Sequence, residues 1–348
     1  LTVAGNVSVD GGTIKLDGAY PVGTANTALG DAALDSLTSG GSNVAIGNGT
    51  LTANTSGNNN VGMGRRALIS NTSGGANVAI GLDSLYSNTT ASNNTAVGYE
   101  AGYSNTTGTE NNALGYKALY TNTTANQNNA FGRTALFANT TGSHNSAFGH
   151  SSLKTNTTGQ YNTAHGSQAL FSNTTASNNT AVGFTALYTN STGTNNTAVG
   201  YQAIASTSTG SNNTALGAEA LENNTTASNN TAVGYQAGYS NTTGTGNNAF
   251  GTQAMRANTT ANYNSAFGHV TMYSNSTGAN NAAFGGITMY SNTTGSSNSA
   301  FGYNALYSNT TANEGTAVGY QAAYSNTSGN GTVAVGVRAL LNNVTATA

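Results

Sequence analysis

The stretch Asn230-Thr-Ala-Val-Gly-Tyr-Gln-Ala-Gly-Tyr-Ser-Asn-Thr-Thr-Gly-Thr-Gly-Asn-Asn-Ala-Phe-Gly251 decides how this chain is read. It holds the triplet Ala-Val-Gly ending at Gly234 and then Ala-Phe-Gly ending at Gly251. The same small–apolar–Gly triplet recurs with its glycine from Gly30 to Gly336, at a constant step and without an insertion. Counted from the alanine, each repeat has 17 columns, and a typical one reads Ala-Val/Phe-Gly-Tyr-Gln-Ala-Leu-Tyr-Ser-Asn-Thr-Thr-Gly-Ser-Asn-Asn-Thr. A fixed period of this length points to a stacked array of identical units.

Gly in every repeat and an abundance of Asn and Thr argue against helix. Thr, Val, Phe and Tyr suit short strands, and Asn-Thr-Thr-Gly and Ser-Asn-Asn read as turns. The expected fold is all-β: a parallel β-solenoid or β-roll with 17-residue coils over 25–348. At about 4.8 Å per coil the array would make a rod on the order of 90 Å long. The segment 1–24 breaks the repeat. Leu1–Val9 and Thr13–Leu16 alternate like strands, Asp10-Gly-Gly is a turn signal and Pro21 marks the junction, so a β linker or cap is expected there. The start without Met and the stop inside an unfinished coil read as a processed chain or an excerpt, with head-to-tail stacking into a filament as one expectation.

The columns serve as an internal alignment. Column 1 is Ala except at Gly62, column 3 is always Gly, column 2 is large and apolar apart from His165, and column 7 is mostly Leu, Ile or Met. Columns 2 and 7 are the expected core. Column 10 is Asn in 17 of 19 coils, as at Asn88, Asn105, Asn122 and Asn241. Column 16 is Asn from Asn26 to Asn298, including Asn94, Asn111, Asn128 and Asn230. Stacked identical amides can hydrogen-bond from coil to coil, and Asn tolerates left-handed turns. Both columns are therefore expected to be structural ladders. Column 10 also opens an Asn-x-Ser/Thr sequon in all 17 coils that have it, which makes Asn88, Asn105, Asn122 and Asn241 candidate glycosylation sites.

Beyond Thr24, charge falls only in columns 4, 5, 8 and 15, which are expected to face water because an unpaired buried charge is costly. Every Tyr of the repeat lies in column 4, 8 or 15, whereas six of nine Phe lie in column 2. Column 8 supplies Tyr86, Tyr103, Tyr120, Tyr188, Tyr239, Tyr273, Tyr290, Tyr307 and Tyr324, an expected solvent-facing aromatic stripe.

Two large apolar side chains per coil make a thin core against an ordering cost of roughly 1–2 kcal/mol per residue. The 348 residues contain no Cys, so no disulfide assists. Self-association is expected instead, as a homotrimer with column 2 a contact between sister chains.

Asn229-Asn-Thr-Ala-Val-Gly-Tyr-Gln-Ala-Gly238 and Asn43-Val-Ala-Ile-Gly47 resemble the head repeats of trimeric autotransporter adhesins (the YadA-like β-rolls). They resemble even more closely the repeats in long tail fibres of bacteriophages, cyanophages especially. Val9-Asp-Gly-Gly-Thr-Ile-Lys-Leu-Asp-Gly18 is similar to the linker that precedes such repeats. The resemblance implies a left-handed parallel β-roll, trimeric association and an extracellular adhesive or structural role. The repeats of autotransporter heads are usually shorter than the ones found here.

Charged residues make up 5% of the chain and the formal net charge is -2, which excludes a binder of nucleic acid that works by phosphate neutralisation. No run reaches the ~18 apolar residues of a membrane helix. His144, His150, His165 and His269 sit in different coils, so no metal or cofactor is expected. Glu219 and Glu222 are the nearest carboxylate pair and read as solvated surface rather than an acid–base couple, so no enzyme is expected. The leading reading is a structural, adhesive fibre on a virion or cell surface whose Tyr, Gln and Asn contact host glycans or a receptor, with its own copies as partners. The alternatives are a head-to-tail, glycosylated microbial surface filament, an ice-binding solenoid built on the Thr-rich half coil, and a polysaccharide-degrading spike.

Overall fold

The repeating step of the sequence is one turn of a parallel β-solenoid. The computed structural model describes residues 25–345; the expected linker at 1–24 lies outside them. Nineteen strands of three residues bound about eighteen full coils, and no helix occurs among the described residues. The chain divides after Asn145 into two units. The first holds β1 (Thr27–Leu29) to β7 (Asn129–Phe131), and the second holds β8 (Ser146–Phe148) to β19 (Val333–Val335). Within each unit successive strands pair in parallel with a register of one repeat. Thr180, Ala181 and Val182 face Thr197, Ala198 and Val199, and Thr95, Ala96 and Val97 face Asn112, Ala113 and Leu114. Every column is thus a line of like side chains along its unit.

Column 3 requires glycine on two counts. Gly98 has φ 137°, and a Cβ there would stand 2.6 Å from the carbonyl oxygen of Gly115. Three further positions per coil are left-handed without being glycine: Lys117 (φ 52°), Leu119 (φ 51°) and Gln127 (φ 58°) exemplify columns 5, 7 and 15. Such a conformation costs an L-residue about 1–2 kcal/mol. It is held because each of these N–H groups bonds to a neighbouring coil, as Lys117 N does to Tyr99 O (2.9 Å), Leu119 N to Ala135 O (3.0 Å) and Gln127 N to Thr109 O (3.0 Å). The left-handed asparagines are therefore those of column 15, such as Asn93, Asn178 and Asn229, and Asn304 of column 5, rather than the ladder asparagines of columns 10 and 16.

The interior is built from columns 1, 6, 7, 10, 13 and 16. Ala96, Ala101, Leu119, Leu187 and Met272 are buried, as are the asparagines of both ladders. Column 7 is core as expected, but column 2 is not. Leu216 is 49% exposed and Phe301 41%. The strand explains the correction. Alternation sends the side chains before and after the central alanine to the outer face and the alanine inward. The inner space is tight there: a Cβ at Gly62 would lie 2.5 Å from Thr50 Cγ2 and 3.5 Å from Leu51 Cδ1.

Candidate binding surface

The interior amides are buried and, apart from Asn190 Oδ1, committed to one another and to the backbone. In column 10, Nδ2 of Asn88 donates to Asn71 Oδ1 (2.9 Å) and to the Ala91 carbonyl of its own coil (3.0 Å). Asn105 repeats the pattern with Asn88 (3.0 Å), Asn122 with Asn105 (2.9 Å) and Asn241 with Asn224 (3.0 Å). In column 16, the Oδ1 of each residue accepts the backbone N–H of the next: Asn94 serves Asn111 (2.9 Å), Asn111 serves Asn128 (3.0 Å), and Asn213 serves Asn230 (3.1 Å). The column 16 Nδ2 then reaches the column 13 carbonyl one coil on, as Asn94 does to Gly108 O (2.9 Å). That carbonyl also accepts from Asn105 Nδ2 (2.9 Å), so both its lone pairs are used.

This geometry corrects the sequon reading. Asn88, Asn105, Asn122 and Asn241 are buried, and each Nδ2 donates to two acceptors inside the wall. A glycan on that nitrogen does not fit the folded coil. The Thr-rich half coil is also partly committed. Column 11 hydroxyls bond along the wall, as Thr106 Oγ1 does to Thr123 O (3.0 Å), while column 12 side chains such as Thr107 stay exposed.

Three stripes reach solvent on the outside. Column 2 is an apolar line along each unit, and Phe250, Phe267, Phe284 and Phe301 stack within it at centroid distances of 4.7, 4.7 and 5.0 Å. His165 interrupts the line, its Nε2 3.2 Å from Ser146 Oγ. Column 4 carries open phenols such as Tyr201 and Tyr303.

Column 8 is half-buried rather than open, because its rings cover one another. Tyr86, Tyr103, Tyr120 and Phe137 follow at 4.9, 5.2 and 5.2 Å, and Tyr273, Tyr290, Tyr307 and Tyr324 at 5.2, 5.5 and 5.0 Å. Coplanar rings side by side would need about 6.5 Å between centroids to avoid overlap. These rings therefore meet face to face and offer the solvent their edges and hydroxyls. Sugar stacking on ring faces, which the sequence pattern invites, is closed off inside the stacks.

Charges in these columns are less free than their hydration suggests. Arg66 makes a two-pronged pair with Asp83 (Nε–Oδ1 2.7 Å, Nη2–Oδ2 2.5 Å), and Asp83 is buried by it. Column 5 is thus not a uniformly wet face. Lys117 Nζ lies 3.2 Å from Glu100 Oε2 and 4.9 Å from the Tyr120 ring centre. Hydrogen bonding to Glu100 raises both Lys117 and the Tyr99 hydroxyl above their ordinary values, and burial raises Tyr103. In column 8, Arg256 takes the place of a ring, its guanidinium 5.2 Å from the Tyr239 centroid and 5.8 Å from that of Tyr273. The signal for this was already in the sequence: Arg and Lys share a column with Tyr and Phe, whose faces attract cations.

Among the described residues no three His, Cys, Asp or Glu side chains come together as a metal site, and no helix is long and apolar enough to cross a membrane. Compared with known proteins, the chain matches no family model and no curated sequence.

Proposed function

We propose that this chain is the shaft of an extracellular adhesive fibre, of the virion tail-fibre or cell-surface type, whose coils are left-handed and which assembles as a homotrimer through its column 2 stripes. The observation that carries this reading is an outward line of Val, Leu, Ile and Phe on a wall whose interior polar groups are otherwise nearly all paired. Large exposed apolar patches on soluble proteins mark contact sites. In the second unit alone the twelve strands at about 4.8 Å give a strip roughly 55 Å by 10 Å. That is some 600 Å² per copy, close to the ~800 Å² each partner gives to a stable interface. A second copy lying parallel matches the stripe at every coil, which a partner of different period does not. The repeat then supplies length and stiffness, and the column 4 phenols with the column 5 glutamines give edge-on hydrogen bonds to host-surface glycans.

Sedimentation equilibrium tests the assembly. The expected mass is three times that of the sequence, falling to the monomer when Phe267 and Phe284 are both replaced by Ser. A monomer at all concentrations, or a double variant that stays assembled, overturns the reading.

A further inference from the structure

From Lys154 to Tyr324, column 8 of the second unit is filled by flat or cationic groups except at two successive coils. Phe171 stacks on Tyr188 at 5.2 Å. Beyond Tyr188 come Ala205 and Glu222, and the stack resumes with Tyr239, Arg256 and Tyr273. Tyr188 and Tyr239 are three coil steps apart, about 14 Å. Subtracting about one ring thickness of 3.5 Å leaves room for two flat groups. Column 8 itself contributes only a methyl, from Ala205, and one carboxylate side chain, from Glu222, across that distance. Among the described residues, no other ring or cation covers the far face of Tyr188 or the near face of Tyr239.

The gap is also electrostatically uneven. Glu222 and its neighbour Glu219 lie in columns 8 and 5 of the same coil, and among the described residues no cation pairs with either. Glu219 Oε2 accepts only an amide hydrogen from Gln236 Nε2, at 2.7 Å. Burial, and secondly Glu219, push the Glu222 carboxyl up from its ordinary value. Two coils away the same column shows what suits such a place. The Arg256 guanidinium lies between two tyrosine rings with its Nε 3.0 Å from Gln236 Oε1.

We propose that this break in the column 8 stack is a receptor slot for an arginine side chain of a partner protein, whose guanidinium lies on the Tyr188 ring above Ala205 with Glu222 as its counter-ion. A guanidinium is planar and more weakly hydrated than an ammonium, so it can lie flat between two ring faces, as Arg256 does, and stacks there more favourably than a lysine. Its charge relieves the carboxylate pair. The slot is on column 8 and does not rest on association through column 2.

The probe is N-acetyl-arginine amide, titrated into the full chain with ring-labelled tyrosine and followed by nuclear magnetic resonance. The expected result is a saturable shift of the Tyr188 and Tyr239 signals, with Tyr290 unmoved as an internal control of folding. Glu222→Gln is expected to weaken binding at least about fivefold, and N-acetyl-lysine amide to bind at least about threefold more weakly than the arginine probe. Ala205→Tyr, which supplies the ring the column has elsewhere, is expected to abolish the shift. No saturable shift at Tyr188, an unchanged shift in Ala205→Tyr, or equal binding of the lysine probe overturns the assignment.

Discussion

The coils around Tyr290 and the coil around Ala205 are built on the same backbone and differ in what their side chains pass on. Around Tyr290 both chains of contact are continuous. Tyr273, Tyr290, Tyr307 and Tyr324 stack outside, and inside Asn292 donates to Asn275 and Asn309 to Asn292, each at 2.7 Å. Around Ala205 both break close together. Ala205 has no ring, and Thr207 has no amide to give Asn190 Oδ1, which is buried without a partner. Asn224 Nδ2 makes do with Thr207 Oγ1 at 3.0 Å. The backbone rungs do not register the loss. Ile204 N to Ala220 O is 3.0 Å and Ser206 N to Glu222 O is 2.9 Å, against 3.0 Å for Met289 N to Ala305 O and 3.0 Å for Ser291 N to Tyr307 O. The main-chain bonds therefore define the coil, and the side-chain ladders add stability on top of it. A solenoid of this kind can lose a rung locally because each repeat depends chiefly on its neighbours.

The largest break in that comparison is to put a defect into the intact region. Asn292→Ala removes the donor to Asn275 Oδ1, the acceptor of Asn309 Nδ2 and one of the two donors to Gly295 O. With Asn275 Oδ1 left unpaired, and Asn309 Nδ2 keeping only its bond to Ala312 O, the expected cost is about 2–4 kcal/mol. It should appear in native-state hydrogen exchange as lost protection at Met289 and Leu306, ahead of distant coils. A uniform loss across the second unit would show instead that the coils unfold as one body. The reverse experiment repairs the natural defect. Thr207→Asn restores a donor to Asn190 Oδ1 and an acceptor to Asn224, and is expected to stabilise by about 1–2 kcal/mol in denaturant unfolding. A neutral or destabilising result would mean that the neighbouring coils have closed around the smaller threonine.

The repeat made the fold legible, because a period without insertions leaves few architectures open. It also exposed both amide ladders, since identical buried amides at one spacing have only each other and the backbone as partners. Column 2 was misread for a specific reason. Size and apolarity were read as burial inside the coil, whereas strand alternation with a buried alanine at the centre turns this position to the outer face. Column 6 was passed over because its Ala, Ser and Thr carry no apolar bulk, although Ala101 and Ala186 are fully buried. The left-handed positions were hidden because Lys, Leu and Gln do not announce positive φ. Column 8 looked open because hydration was inferred from its charges, and the cations turn out to be stacked among the rings.

A smaller test sharpens the outer half of the comparison. Ala205→Tyr adds one ring on Tyr188, and an aromatic pair contributes about 0.5–1.5 kcal/mol. That gain should be read as a raised unfolding midpoint, and it should shrink when Tyr188 is replaced by Leu in the same chain. A gain that survives Tyr188→Leu would come from buried area rather than from stacking.

The smallest effect concerns Glu222 and depends on pH. Burial, then Glu219, raise its folded-state value, so the folded chain takes up a proton there more readily than the unfolded chain does. Stability then falls as pH rises through the window between the ordinary and the raised value. The penalty is fully present above that window and absent below the ordinary glutamate range. Glu222→Gln removes the titrating group, so it should stabilise slightly at neutral pH and make no difference in acid. Because the side chain is only partly shielded from water, the gain should stay under about 1 kcal/mol. Unfolding midpoints of both chains at about pH 3.5 and pH 7 check this. An offset that persists in acid would assign the gain to the amide's own contacts rather than to the removal of a charge. The intact coils around Tyr290, which hold no carboxylate in column 8, provide the reference against which that offset is measured.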